Sequence, residues 1–282
     1  MNNLEIQKVN TYYRESAWDY KYLWLDKAMA MHFGFYENNS TKHGDALLRM
    51  NKFLADSVNI TASDNVVDAG CGLGGTSIWL AKNYGCHVTG LNIVPPQVVQ
   101  AQQEANKQGV SNKVFFEEQD FTQTSYPENT FDVFWGLESI VHAPEKIKVV
   151  NEAYRLLKFK GRIVISEYMV RERPSLTEKE RTYLQPALDG WAMPNLLTTK
   201  EYIRLMTDVG FRNIKTTDIS DKVSPSLKRL KNLCLMSLPG AWILEKLGIF
   251  SEERFLNVYG SLRHANSFFK GLWRYIVITA EK

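Results

Sequence analysis

A glycine-rich stretch, DAGCGLGG at residues 68–75, has the residue types and spacing that most directly suggest chemistry in this 282-residue sequence. It follows the apolar run NVV and precedes GTSIWLAKNYG, where apolar residues recur at helical spacing. Glycines between a strand and a helix let the backbone turn tightly and approach a bound molecule closely. The stretch therefore predicts a strand–turn–helix that binds a cofactor, with the carboxylate of Asp68 beside the turn.

Two classes of cofactor fit this turn. The first, second and fourth glycines have the G-x-G-x-x-G spacing of dinucleotide sites, whereas Asp68 and the first three glycines have a D-x-G-x-G-x-G spacing typical of S-adenosylmethionine sites. The glycines are Gly70, Gly72, Gly74 and Gly75. A carboxylate here repels a pyrophosphate and attracts the ammonium or sulfonium of S-adenosylmethionine. A nicotinamide site also needs a carboxylate about 20 residues further on, where this sequence has Asn92. These residues favour S-adenosylmethionine without excluding a dinucleotide.

A second acidic residue supports the same cofactor. Asp120 ends the predicted strand KVFFEEQD, and its carboxylate is placed to accept a hydrogen bond from an adenine amino group. Phe121 would form an apolar wall beside it. The alternative is that Asp120 only caps a turn.

Composition excludes several classes of protein. The net charge of +3 is too small to indicate nucleic-acid binding, so no nucleic-acid partner is expected. The three cysteines show no metal-ligand spacing and no disulfide framework, which predicts no metal site and a reducing, cytoplasmic location. Neither a secretory signal nor a membrane-spanning stretch is predicted.

Predicted strands and helices alternate along the chain, as in an α/β fold. Strands are predicted at 65–70, 87–93, 113–120, 131–139 and 162–169 with helices between them, which predicts a parallel sheet covered on both faces. Two further strands, FRNIKTTDIS and WRYIVITAEK, are separated by mostly helical sequence. We divide the chain into a helical lid (1–63), with its second helix at about 42–58, and a core (64–282) with cap insertions at about 171–197 and 221–271.

Five successive segments resemble the motifs of class I S-adenosylmethionine-dependent methyltransferases. The segments are VVDAGCGLGG, VTGLNI, EEQDF, FDVFWGLESIVHAPEK and RLLKFKGRIVISEY. The resemblance implies a Rossmann-like, seven-stranded, mostly parallel sheet with a reversed last strand, S-adenosylmethionine as cofactor and S-adenosylhomocysteine as product. It implies cofactor-binding roles for Asp68, Gly70, Gly72, Gly74, Asn92, Ile93, Gln97, Asp120, Phe121, Trp135 and Leu137, and for Tyr12 in the lid.

A narrower resemblance concerns the acceptor. FWGLESIVHAPEK is similar to the corresponding segment of sterol and tocopherol C-methyltransferases and of natural-product glycoside O-methyltransferases. This implies a hydrophobic small-molecule acceptor such as a terpenoid, sterol or quinol. The acceptor itself and the oligomeric state are not predicted.

Three residues are candidates for catalysis: His142, Glu167 and Glu138. Each also has a structural interpretation: His142 bonded to backbone at a helix start, Glu167 paired with Arg162 or Arg171, and Glu138 fixing the cofactor loop. The glycoside enzymes tend to carry two adjacent histidines where this chain has Val141-His142, so simple histidine-assisted O-methylation is disfavoured and C-methylation gains a modest edge. A carbocation formed on an alkene would be stabilised by a carboxylate and by aromatic faces, for which the candidates are Tyr12, Tyr13, Trp18, Phe33, Tyr36, Trp135, Tyr168, Tyr183 and Trp191.

Alternatives to this function stay open. They are O- or N-methylation of a polyketide, glycoside or alkaloid, and a cofactor-bound cyclase or binding module that transfers no methyl group. The segment PSLKRLKNLCLMSLPGAWILEKLGIF, rich in apolar and basic residues, is either an ordinary insertion helix or a cap over a lipophilic pocket that also contacts a membrane surface.

Overall fold

The computed structural model describes residues 1–25, 28–38, 41–171 and 176–282. In chain order the strands are β1 (Asn65–Ala69), β2 (His87–Asn92), β3 (Val114–Glu118), β4 (Phe131–Leu137), β5 (Leu157–Val170), β6 (Arg212–Asp218) and β7 (Trp273–Glu281). The helices are α1 (Asn3–Asp19), α2 (His43–Ser57), α3 (Gly75–Tyr84), α4 (Pro95–Lys107), α5 (Lys146–Leu156), α6 (Glu178–Gly190), α7 (Thr199–Val209), α8 (Ser220–Lys246) and α9 (Glu252–Phe269).

The seven strands form one sheet in the order β3-β2-β1-β4-β5-β7-β6. Pairs from β3 to β5 are parallel, whereas β7 runs antiparallel to both β5 and β6. The predicted Rossmann-like sheet with a reversed last strand is therefore confirmed. The order reverses at β1, so the carboxyl ends of β1 and β4 border the crevice where such sheets bind ligands.

Alternate residues of the central strands face two separate apolar cores. Val133 and Trp135 of β4 pack in a core with α2, α3 and α4, whereas Phe134 packs in a second core with α5 and α7. Because both faces are covered, the strand sequences are almost continuously apolar rather than alternating. This buried sheet fixes the positions of the loops that follow β1, β4 and β5.

Two boundaries differ from the sequence prediction. The N-terminal helical pattern was expected to continue through MHFGFY, but α1 is followed by a π-helical turn, Tyr20–Trp24, and residues 28–36 are not helical. The helix α5 ends at Leu156, and β5 begins at Leu157 rather than at 162. The reason is that Leu157 is already extended and lies opposite Phe131 in the sheet. The predicted helix at about 42–58 is confirmed as α2.

The two predicted cap segments contact each other. Helices α6 and α9 cross so closely that a Cβ atom on Gly260 would lie 2.7 Å from the carbonyl oxygen of Pro186. Residues 172–175 of the first cap segment lie outside the described residues, and the division into lid, core and caps stays a prediction. None of the helices in the described ranges combines the length and apolarity that a membrane span requires.

Candidate active site

The glycine turn between β1 and α3 is held against two other segments. Gly70 and Gly74 have positive φ angles of 89° and 80°, which favour glycine. A Cβ atom on Gly70 would collide with the Cβ of Ser139, which follows β4, and one on Gly72 would lie 2.6 Å from the Cε of Met31. The turn therefore touches the loop after β4 on one side and the N-terminal segment on the other.

Replacing Gly70 with alanine is expected to destabilise the fold by about 1–3 kcal/mol more than replacing Gly109. Both glycines have positive φ, but a Cβ on Gly109 would meet nothing within 4 Å, so Gly109→Ala should cost only the about 1–2 kcal/mol of backbone strain. Urea unfolding of both variants measures the difference. Equal losses would mean that Ser139 moves aside freely.

Asp68 lies at the mouth of β1 and lines a polar cleft with Gly70, Gly72 and Leu137. Its Oδ2 accepts a hydrogen bond of 2.6 Å from the Ser77 hydroxyl. Burial raises the pKa of Asp68 to about 6, although the Ser77 hydroxyl opposes the shift. The carboxylate is therefore ionised at neutral pH and attracts a cationic group.

A smaller cavity continues this cleft past β2 and shares Tyr13, Gly70, Gly72 and His142 with it. Its walls include Asn92, Ile93, Gln97 and Phe121, which were predicted to bind the cofactor. The Asn92 amide donates to the carbonyl oxygen of Gly72 (3.2 Å) and to Gln97 Oε1 (2.8 Å), so Asn92 braces the glycine turn. Asp120 accepts from the Thr122 N–H (2.8 Å), as the capping interpretation expects, and from the amino group of Met1.

Glu138, in the turn after β4, carries a partly buried carboxylate that lines the polar cleft. It accepts hydrogen bonds from the Phe33 N–H (2.7 Å), the Tyr275 hydroxyl (2.6 Å) and the Tyr168 hydroxyl. Burial raises the pKa of Glu138 to about 7, against the opposing effect of the two tyrosine hydroxyls. One carboxylate thus joins the N-terminal segment, β5 and β7 at the cleft.

His142 lies in the same turn and is held from both sides. Its Nδ1 lies 3.2 Å from the carbonyl oxygen of Ala192, which only accepts, so Nδ1 carries the proton. Its Nε2 then accepts from the Tyr13 hydroxyl of α1 at 3.1 Å. Burial lowers the pKa of His142 to about 4, so the ring is neutral. Both ring nitrogens are occupied while α1 covers the cleft.

Glu167 lies beneath this turn and does not line the cleft. Its Oε1 accepts from the Val141 N–H (3.1 Å), and Lys146 Nζ donates to the Val141 carbonyl oxygen (3.0 Å). Burial raises the pKa of Glu167 and lowers that of Lys146, while their opposite charges counteract both shifts. The alternative that Glu167 pairs with Arg162 or Arg171 is wrong, because these arginines pair with Asp64 and Glu180.

A second, apolar cavity of about 250 Å³ adjoins the polar cleft. Tyr20, Met31 and Trp191 line both spaces. The remaining walls come from the end of α1, the segment that follows it, α8 and α9. They include Trp18, Trp24, Phe33, Leu230, Leu233, Leu244 and Val258. A lipophilic pocket beneath the helical cap was one of the two interpretations of that segment.

Comparison with known proteins fits this arrangement. Residues 60–210, just over half of the chain, match a family described as a methyltransferase domain. The chain belongs to this methyltransferase family. It is 31% identical over 215 residues to a sterol 24-C-methyltransferase of Neurospora crassa, covering 76% of this chain and 56% of that protein. It is 30% identical over 229 residues to a probable chloroplastic tocopherol O-methyltransferase of Oryza sativa subsp. japonica, covering 76% and 62%.

The chain thus spans about six-tenths of the length of these two curated relatives. Among solved structures, the cyclopropane synthase MmaA2 of Mycobacterium tuberculosis superposes with a TM-score of 0.83 at 16% identity, covering 100% of both chains. At that identity the likeness shows the shared fold.

Some of the predicted cofactor residues line the polar cleft and others do not. Tyr12 and Leu137 line the polar cleft with Asp68 and the first glycines. Trp135 is fully buried in the core, and Gly74 packs against Phe116, so neither faces the cleft. Sequence reasoning missed other wall residues of the cleft, which are Tyr20, Met29, Ala30, Met31, His32 and Thr76. Met31 and His32 belong to the segment MHFGFY of the predicted lid. The aromatic residues of this segment could have pointed to these walls, but their spacing predicts a helix.

Proposed function

We propose that the chain is an S-adenosylmethionine-dependent methyltransferase that methylates a hydrophobic small molecule. The observation that carries the proposal is the contact between a polar cleft, with Asp68 and the glycine turn, and an apolar cavity at Tyr20, Met31 and Trp191. Methyl transfer is an in-line displacement from an activated donor, so the protein must mainly align the acceptor and exclude water. Two adjoining spaces under one lid are suited to both tasks.

The residues present fit the cofactor. Asp68 supplies a buried negative charge for the ammonium group, and Phe121 and Ile93 supply apolar walls for a base. The polar cleft and its continuation measure only about 70 and 30 Å³, less than the 300–1,000 Å³ typical of small-molecule sites. We therefore expect α1 and residues 29–32 to move outward when the cofactor enters.

Methylation at carbon is the form of the reaction that we favour. In it, an electron pair of an alkene or electron-rich ring attacks the methyl carbon, the carbon–sulfur bond breaks toward sulfur, and the resulting cation loses a proton. Glu138 would stabilise that cation and accept the proton, and the aromatic faces of Tyr20, Tyr168 and Trp191 surround the same space. The sterol relative is named a C-methyltransferase. His142 would hold the lid through Tyr13, and Glu167 would position the turn, rather than react.

Methylation at oxygen is the second candidate. The observation that favours it is again Glu138, whose pKa of about 7 suits a general base for a hydroxyl proton. From the sequence resemblance, both the sterol and the tocopherol enzymes are expected to be C-methyltransferases. The sterol relative has that name, whereas the tocopherol relative is named an O-methyltransferase.

Calorimetry with S-adenosylmethionine, S-adenosylhomocysteine and NADH tests the cofactor, and release of S-adenosylhomocysteine in the presence of sterols, quinols and prenyl alcohols tests the reaction. We expect micromolar binding of the first two compounds and none of NADH. Stoichiometric S-adenosylhomocysteine with a 14-dalton gain in one acceptor excludes a non-methylating cyclase. Binding without turnover over the whole panel favours that alternative.

We further propose that the acceptor is collected at a membrane surface. The helix α8 lines the apolar cavity with Leu244 but exposes Met236 (79%) to solvent. Leu247, just past the end of the helix, is 67% exposed, and Trp242 lies between the two. Lys228, Arg229, Lys231 and Lys246 provide cations along the same helix. Apolar residues with flanking cations bind anionic lipid surfaces.

Co-sedimentation with phosphatidylcholine vesicles, with and without phosphatidylglycerol, checks this contact. The paired change Met236→Ser and Trp242→Ser should weaken binding to the anionic vesicles at least tenfold. Phe159→Ser is the matched control, because Phe159 is 81% exposed but lies in β5, away from the cap. A protein that ignores the vesicles, or an equal loss with the control, contradicts the membrane contact.

A further inference from the structure

The apolar cavity contains one ion pair. Of the described residues that line it, Asp19 and Arg254 alone carry charge. Arg254 Nη2 lies 3.1 Å from Asp19 Oδ1, and the arginine plane covers the Phe250 ring at 3.8 Å from its centroid. A charged pair in such a surrounding is costly unless further hydrogen bonds satisfy it.

These further hydrogen bonds are missing. Asp19 Oδ2 and Arg254 Nε are buried and have no partner within the described parts of the chain. Buried polar atoms are rarely left without a partner, and exceptions often mark functional sites. Both side chains keep partial exposure, 24% and 19%, and both line the cavity. The pair thus leaves one acceptor and one donor unsatisfied at the wall of a mainly apolar space.

We propose that Asp19 and Arg254 bind the hydroxyl group of an amphiphilic acceptor, an inference that rests on the proposed methyltransferase function. A hydroxyl group donates to a carboxylate and accepts from a guanidinium, so one group satisfies both residues. An anionic or cationic head would add a third charge, without a counter-charge, to this neutral pair in a mainly apolar space, which is costly. The pair therefore selects a neutral alcohol over a carboxylate or an amine and fixes which end of the acceptor stays away from the methyl donor.

A purely structural role is the competing explanation. Asp19 ends α1 and Arg254 lies in the first turn of α9, so their pair also links the lid to the cap. A neighbouring contact does the same: the Ser251 hydroxyl donates to Glu15 Oε2 at 2.6 Å. Neither Glu15 nor Ser251 lines the cavity. Glu15→Ala therefore loosens the same junction while leaving the polar group of the cavity intact.

Binding of dodecanol, dodecanoate, dodecylamine and chlorododecane to the protein saturated with S-adenosylhomocysteine tests the proposal. Trp24 and Trp191 line the cavity, so tryptophan fluorescence reports the binding directly and needs no turnover. We expect dodecanol to bind at least tenfold more tightly than the other three, because a hydrogen bond to a charged group is lost in each of them. Glu15→Ala should keep this preference.

Charge variants sharpen the test. Asp19→Asn leaves Arg254 unpaired and should shift the preference toward dodecanoate, whereas Arg254→Met should shift it toward dodecylamine. A preference that is absent from the wild-type protein, or unchanged in both variants, overturns the proposal. An equal loss of S-adenosylhomocysteine affinity in Glu15→Ala and in both charge variants would also overturn the proposal, because a purely structural link between the lid and the cap predicts that result. Failure of methyl transfer with every acceptor, with the alcohol preference intact, would instead reject only the proposed function.

Discussion

Replacing Asp68 with alanine is expected to weaken S-adenosylmethionine binding by roughly tenfold to a hundredfold, the contribution of a hydrogen bond to a charged group. The carboxylate is buried at the mouth of β1, where burial raises its pKa to about 6 and leaves it ionised at pH 7. Among the cleft residues that the structure describes, Glu138 is the only other one with a carboxylate. Calorimetric titration at pH 7.5 measures the loss.

Two control variants separate charge from shape. Asp68→Asn keeps the size of the side chain and should lose nearly as much affinity, because the charge is what attracts the cofactor. Ser77→Ala removes only the hydrogen bond to Asp68 and should have a smaller effect. Unchanged affinity in Asp68→Ala, or a gain of NADH binding, would show that the glycine turn holds a different cofactor.

Replacing Glu138 with glutamine is expected to lower kcat by about 100-fold or more, the usual effect of removing a group that stabilises transition-state charge. Burial favours the neutral acid, so Glu138 is ionised only above a pH of about 7. The wild-type rate should therefore rise as pH increases through 7, and this rise should be absent in Glu138→Gln. The pH profile of kcat under saturating S-adenosylmethionine measures both effects.

Tyr275→Phe tests the same carboxylate through its partner. The Tyr275 hydroxyl donates to Glu138 and lowers the pKa of that group, so its removal should shift the rising part of the profile to higher pH.

The raised pKa of Glu138 also makes the stability of the protein depend on pH. A carboxyl group whose pKa is raised by folding stabilises the protein below its ordinary pKa, and this contribution is lost as pH rises through 7. Glu138→Gln should therefore lose less stability than the wild type between pH 5 and 8, and a parallel decline contradicts the assignment.

The parallel half of the sheet was predictable because its strands end at residues that the sequence also indicates as cofactor-binding candidates. Asp68, Asn92 and Leu137 lie at or next to the carboxyl ends of β1, β2 and β4, where apolar strands give way to polar or glycine residues. Helix α7 is likewise encoded locally, since Thr198 and Glu201 form a capping box at its start. Local chemistry decides these elements, so the sequence alone carries them.

The lid was less predictable because tertiary contacts decide it. Its aromatic spacing indicates a helix through residue 36, but Phe33 donates its N–H to Glu138, and Gly34 packs against Ala46 of α2. These partners lie 105 residues ahead or in another helix, and no local pattern reports them. The same limitation applies to Glu167, whose position near the carboxyl end of β5 indicates chemistry but whose Oε1 accepts a hydrogen bond from the Val141 N–H.

The helix α1 covers two compartments at once. Tyr12 and Tyr13 close the polar cleft, and Ser16 and Asp19, about one turn further on, form part of the apolar cavity. A single rigid element cannot uncover one compartment while sealing the other, so exchange of either molecule exposes both. We therefore expect the cofactor and the acceptor to exchange only while α1 is displaced, so that both compartments are closed during methyl transfer and both open for product release. The methyl donor is thereby protected from water during every turnover.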